Sequence, residues 1–99
     1  MSRLFSINLG GGGGSGVLVA RANTENIGNG VQNFSVVFSS NIGSANYALN
    51  VTIENSVDAD PIYLTAVITN KIDTGFDVEL SAPTDSANYK ISYMACILV

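Results

Sequence analysis

Between Ile62 and Leu80 the chain spells two β-strands and the turn that joins them. Phe76, Val78 and Leu80 alternate with Asp77 and Glu79. A period of two with apolar residues on one side describes a strand with one face on a core and the other in water. The partner strand is expected over Ile62 to Asn70, with Ile62, Leu64 and Ile68 on its apolar face. Gly75 lies between the turn residue Thr74 and the first core residue Phe76. A positive φ or a close backbone approach is expected there.

The same alternation recurs along the chain. Phe5, Ile7 and Leu9 alternate with Ser6 and Asn8, and Val17 to Ala22 is a second short strand candidate. Phe34, Val36 and Phe38 form one apolar row, and Tyr47, Leu49, Val51 and Ile53 form another. Tyr89, Ile91, Tyr93, Ala95 and Ile97 give the last strand. Gly, Pro, Asn, Asp and Ser bound each segment, as turns require. No stretch has a helical period, and there is no heptad repeat or internal repeat. Evenly spaced strands without helices predict an all-β protein, an antiparallel β-sandwich of about six strands. The expected division is an N-terminal arm with a glycine-rich hinge over residues 1–30, and a sandwich domain over 31–99. Asn23 to Gly30 reads as a turn-rich link between them.

Composition narrows the function. A chain of 99 residues is one small domain. It holds no histidine and one cysteine, Cys96. The commonest general base near neutral pH is therefore missing, and so is any intrachain disulfide. Charged residues make up only 12% of the chain while 46% are hydrophobic. Much of the surface is then expected to be Ser, Thr, Asn and backbone, or else apolar and covered by another copy, as in obligate oligomers. The net charge is −4, with Arg3, Arg21, Lys71 and Lys90 dispersed. That argues against nucleic acid, which needs clustered cations, and against an anionic membrane surface. No apolar run is long enough for a membrane-spanning helix. Arg3 precedes too few apolar residues for a signal peptide, so synthesis in the cytoplasm of the producing cell is expected.

Several motifs invite chemistry. The tract Gly10 to Gly16 lacks the lysine of a phosphate-binding loop and runs into Val17-Leu18-Val19, which reads as strand rather than helix. It is expected to be a flexible loop or hinge joining the arm to the body, with a packed glycine-rich turn at a symmetry axis as the alternative. Asp58 and Asp60, with Asn55 nearby, have oxygen ligands suited to calcium, but Asp60-Pro61 also starts a strand in the ordinary way. Asp77 and Glu79 share a strand face, which suits a solvated face better than a glycosidase pair. No cofactor is expected, and no enzyme.

The remaining candidates are interface residues. Tyr63 is out of phase with Ile62, Leu64 and Ile68. It is expected to face outward, to stack on a sugar or a neighbouring subunit or to cover a surface gap. At the C-terminus Met94, Cys96 and Leu98 make the second face of the last strand apolar as well. Covering of that face by another subunit is expected. Phe5, Ile7 and Leu9 are expected to be buried on a neighbour's sheet edge or on another protein.

From Val31 to Cys96 the chain resembles the H-type lectin fold and related domains of phage tail and virion proteins. The resemblance lies in Phe34-x-x-x-Phe38, the long strand Tyr47 to Ile53, the polar loop ending in Asp60-Pro61, and Val67-Ile68-Thr69-Asn70. It continues through Thr74-Gly75-Phe76 and the final Tyr93-x-Ala95. Tyr93 stands where that family usually has Trp, and none of its sugar-binding loop residues can be placed here. The resemblance implies a trimeric six-stranded sandwich. The expected role is a non-enzymatic phage virion structural protein on the tail or capsid, with other virion proteins or a host-surface glycan as partners. The alternative is a free-standing carbohydrate-binding lectin.

Overall fold

A computed structural model describes residues 17–98. Phe5, Ile7, Leu9 and the glycine tract lie outside the described residues, so the arm expectations are not addressed by it. The described residues are all-β and form six strands: β1 (Leu18–Ile27), β2 (Asn33–Val37), β3 (Ala48–Glu54), β4 (Ala66–Ile72), β5 (Gly75–Leu80) and β6 (Tyr89–Leu98). They make two three-stranded antiparallel sheets. The front sheet has the order β1-β6-β3 and the back sheet β2-β5-β4. The chain changes sheet at every connection except the β4–β5 hairpin. No helix is present among the described residues, hence none long and apolar enough to cross a membrane.

The core is built from the alternating rows read in the sequence. Val36, Phe38, Phe76, Val78 and Leu80 come from the back sheet side, and Tyr47, Tyr89, Ile91, Tyr93 and Ala95 from the front. At its centre Phe38 meets Tyr47, with centroids 5.4 Å apart and edge-on. Phe76 meets Tyr93 in the same manner at 5.3 Å. Such edge-to-face pairs add roughly 0.5–1.5 kcal/mol each beyond the area they bury. The buried Tyr47 hydroxyl donates to the Gly75 carbonyl at 2.5 Å, so its polar end is satisfied.

Two segments differ from the sequence expectation. Asn23 to Asn26 is not a link but the second half of β1, which runs unbroken from Leu18 to Ile27 against the whole of β6. Its turn-favouring residues are held by their partners: the Thr24 and Ser92 hydroxyls lie 2.9 Å apart. Tertiary pairing overrides propensity here. Ile27 is 2% exposed and belongs to the core, so a boundary at residue 30 would cut a core strand from the sandwich. The second difference is at Ile62 to Thr65, which lies outside any strand. Its backbone bonds elsewhere: Ile62 N–H donates to the Tyr89 hydroxyl at 2.9 Å, and Thr65 N–H to Ser81 Oγ at 3.0 Å. The observed β4 starts later and carries an irregularity between Ile68 and Asn70.

The loops are tied by named groups. Buried Thr84 donates to the Gly28 carbonyl at 2.6 Å and accepts from Val31 N–H at 3.0 Å. The Gly30 N–H bonds the Thr84 carbonyl, and Gly30 has the left-handed φ of 74° that glycine tolerates best.

Gly75 fulfils one half of its expectation. Its φ is not in the left-handed region, but the backbone approach is close. A Cβ on Gly75 would lie 2.0 Å from the Val36 carbonyl oxygen. That atom is main chain inside a sheet and cannot step aside cheaply. Gly75→Ala is therefore expected to destabilise the fold by about 1–3 kcal/mol through overpacking. Urea unfolding monitored by tyrosine fluorescence measures it, and an unchanged midpoint would show that β2 can retreat from β5.

Candidate functional site

The register of β6 with its two neighbours fixes the outer face of the front sheet. Tyr89, Ile91, Tyr93 and Ala95 point into the core, so the intervening residues of β6 face outward. Reading across the three strands, Leu18 lies opposite Leu98, and Cys96 is flanked by Ala20 and Ala48. Met94 is flanked by Ala22 and Asn50, Ser92 by Thr24 and Thr52, and Lys90 by Asn26 and Glu54. The face is therefore divided. The half toward the C-terminus of β6 carries no charge and only one polar side chain, Asn50. Leu18, Met94 and Leu98 stand there 40%, 53% and 50% exposed.

The other half is polar and internally bonded. Ser92 Oγ donates to Glu54 Oε2 at 2.5 Å. Its single proton is thereby used, so Thr24 Oγ1 is the donor in the Thr24–Ser92 bond. This hydroxyl–hydroxyl–carboxylate row crosses all three strands and marks where the apolar half ends.

Of the predicted interface residues, Met94, Cys96 and Leu98 are brought together on this face, with Cys96 half-buried between two alanines. Tyr63 is fully exposed, as expected. It belongs to the opposite end, where it borders a cleft of about 210 Å³ with Glu54, Ile62 and Tyr89. Tyr89 and Leu98 are the two ends of β6, so roughly 30 Å separates Tyr63 from Leu98. Leu18, Ala20, Ala22 and Ala48 complete the apolar half and were not singled out from the sequence. The alternation of Leu18, Ala20 and Ala22 was the available signal. It is masked because Arg21, the charged residue between them, faces inward.

Of the carboxylates suggested by the sequence, Asp58 and Asp77 take structural roles. Asp58 accepts from Asn55 Nδ2 at 2.7 Å, Asn88 Nδ2 at 2.7 Å and Ser86 Oγ at 2.5 Å. Asn55 Oδ1 accepts the N–H groups of Val57 and Asp58. Asp58 and Asn55 thus stitch the 55–61 loop to the 82–88 loop, while Asp60 is exposed. No cluster of three Asp, Glu, Cys or His side chains occurs among the described residues. Asp77 accepts from Ser35 Oγ at 2.6 Å on the outer face of the back sheet, and Glu79 is exposed beside it.

Tyr89 donates to Asp85 Oδ1 at 2.7 Å. Burial and then the Asp85 hydrogen bond push its hydroxyl above the usual tyrosine range. Burial likewise raises Tyr47, with Asp73 adding, and Tyr93, with Glu25 adding. These phenols stay protonated at neutral pH and act as donors. Comparison of the chain with known protein families, with curated proteins and with solved structures finds no match in any of the three.

The Ser86, Asn55 and Asn88 hydrogen bonds, in that order of effect, hold the Asp58 carboxyl below its ordinary value. A carboxyl depressed on folding contributes stability above its unfolded pKa, and that contribution is lost as pH falls through the folded pKa. Asp58→Asn is therefore expected to lower the thermal midpoint at neutral pH. The gap to the native chain should close as the pH drops below the carboxylate range. Thermal melts of both proteins across that range are the check, and a gap independent of pH would remove the carboxylate from the argument.

Proposed function

We propose that this protein is a non-catalytic structural component of a phage virion. In this reading it is a homotrimeric, surface-exposed β-sandwich with an H-type lectin-like fold, attached to the tail or capsid. The observation that carries the proposal is the exposed, uncharged half of the front sheet. Exposed contiguous apolar surface on a small domain marks an interaction site, and a face without charges opposes self-association least in a chain of net charge −4. The virion assignment rests on the order of motifs from Phe34 to Ala95.

Size sets a further condition on the interface. Three strands at ~4.8 Å spacing and about five residues of length give a flat footprint of roughly 240 Å². Stable interfaces bury about 800 Å² per partner. The apolar half is thus the centre of an interface that extends onto the polar rows around it, with Thr24, Thr52 and Lys90 at the rim.

The carbohydrate-binding alternative has one observation of its own. Tyr63 presents a whole ring to solvent at the rim of a cleft that also holds Glu54. An aromatic platform beside a hydrogen-bonding carboxylate suits the apolar face and hydroxyls of a sugar.

Sedimentation of the purified protein at micromolar concentration is expected to show a single species of three times the chain mass. Met94→Asp and Leu98→Asp are each expected to shift it toward monomer, since a carboxylate there would be buried without a partner. A monomeric native protein would refute the assembly. Specific retention on a glycan array that disappears in Tyr63→Ala would favour the lectin instead.

A further inference from the structure

On one side of the sandwich the edge strands of the two sheets, β3 and β4, lie next to each other. The end of β4 meets the start of β3, where Lys71 Nζ donates to the Tyr47 carbonyl at 2.6 Å. Leu49, Val51 and Ile53 of β3, with Leu64 and Ile68 opposite, pack on the core but remain only partly buried. They floor a groove between the sheets. One end opens into a cleft of about 530 Å³ at Tyr47, Leu49, Ile68 and Lys71. The other opens into the cleft of about 210 Å³ at Ile53, Glu54 and Leu64. The six residue steps of β3 between these ends make the groove about 20 Å long.

The two walls offer different backbone. Among the described residues, Ala48–Glu54 makes no backbone–backbone hydrogen bond besides its ladder with β6, and that ladder is regular throughout. The ladder of β4 with β5 is broken by an irregularity between Ile68 and Asn70. A bulge bends its strand and turns the edge away from a straight partner. The edge of β3 is therefore the wall along which a strand can add.

The two ends carry opposite charge. Lys71 stands at one, its ammonium 4.9 Å from the centroid of the Tyr47 ring. Glu54 stands at the other. A cation and a carboxylate at the ends of a strand-shaped groove give it a polarity that an extended peptide can match in only one direction.

We propose that this groove binds an extended segment of a partner protein as a fourth strand of the front sheet, antiparallel to β3. The segment carries a basic residue opposite Glu54, apolar residues at alternate positions, and an acidic residue opposite Tyr47, seven positions after the basic one. Main-chain bonds to the β3 edge hold it, and the floor and the two end clefts select its side chains. Its apolar residues, opposite Ile53, Val51 and Leu49, point inward with them and cover the partly buried row. The residues between face outward beside Thr52 and Asn50.

Charge and hydrogen bonding favour the same direction. Antiparallel pairing is the more stable per residue. It sets the C-terminal, acidic end of the segment at Lys71 and the N-terminal, basic end at Glu54. The same segment in the parallel direction would bring like charges together at both ends, which is unfavourable. The groove opens between the sheets, whereas the trimer surface is the outer face of the front sheet, so this inference is independent of the trimer and virion reading.

The test uses the full chain and a synthetic peptide, Lys-Ile-Thr-Val-Thr-Leu-Ser-Glu, with a fluorophore at its N-terminus and an amidated C-terminus. Fluorescence anisotropy is expected to show saturable binding. A second peptide with the Lys and Glu exchanged is expected to bind roughly tenfold more weakly at low salt, because both end contacts change sign. The difference should shrink as salt screens the charges. Lys71→Glu is expected to bind the two peptides alike. Absence of binding, equal affinity of the native chain for both peptides, or a native-like preference in Lys71→Glu would each overturn the proposal. Hydrogen exchange then locates the peptide. The β3 amides that point away from β6 should slow when it is added, with β5 amides unchanged. Protection of those β3 amides already complete without peptide would assign the edge to another segment of the chain. Protection that rises with protein concentration would assign it to a second copy. Either result would also overturn the proposal.

Discussion

The Gly75 carbonyl ties the two sheets together. It accepts the Tyr47 hydroxyl at 2.5 Å, and Tyr47 leads directly into β3 of the opposite sheet. On the same residue the backbone of β2 comes so close that no Cβ fits. Around this point the Phe38 N–H bonds the Thr74 carbonyl and the Ile42 N–H bonds the Asp73 carbonyl. The loop after β2 is thus anchored on the β4–β5 hairpin. Phe38, Phe76 and Tyr93 then fill the volume that this anchoring defines. A neutral hydrogen bond adds only about 1 kcal/mol net. Leaving the buried phenol unpaired would cost more, so this contact selects one arrangement of the sheets over its neighbours.

The parts of the fold that were legible in the sequence are those where one face is fully buried. Phe76, Val78 and Leu80, or Tyr89, Ile91 and Tyr93, alternate cleanly because a slip of one residue would turn the whole row to solvent. β1 was legible only in its first half. It is an edge strand whose inner face carries Arg21, Asn23 and Glu25 between Val19 and Ile27, so polar residues interrupt the apolar row that a period of two would otherwise show. Its second half folds as strand because β6 supplies a full ladder, a long-range cause with no local trace. Ile62 to Thr65 shows the reverse. Its residues alternate, but a tyrosine hydroxyl and a serine side chain take the amides at its two ends, Ile62 and Thr65, in place of ladder bonds.

The candidate surface was legible in β6 and hidden elsewhere. Met94, Cys96 and Leu98 break the polar alternation that an exposed face should show, and this break is visible in one strand. Ala20, Ala22 and Ala48 carry no such mark, because alanine is unremarkable on any face. Only the register shows that they flank Cys96 and Met94 and make the surface flat. Tyr63 was read correctly as exposed, while its remoteness from Leu98 follows from the path of β6 and cannot be read from spacing along the chain.

Edge chemistry accounts for the asymmetry of the molecule. A three-stranded sheet has two edges, and each presents polar backbone groups that must be bonded to water, to a side chain or to another strand. On β1 the guanidinium of Arg21 supplies side-chain bonds and places a charge where an added strand would pack. On β3 the residues turned inward are Leu49, Val51 and Ile53, and the nearest cation, Lys71, is spent on the Tyr47 carbonyl and ring. Water can satisfy the β3 amides but not the partly buried aliphatic row beneath them. A seam with that combination gains from an alternating apolar strand on both counts at once, whereas a strand added beside β1 would meet the inward-pointing Arg21 and a carbonyl that Arg21 already occupies.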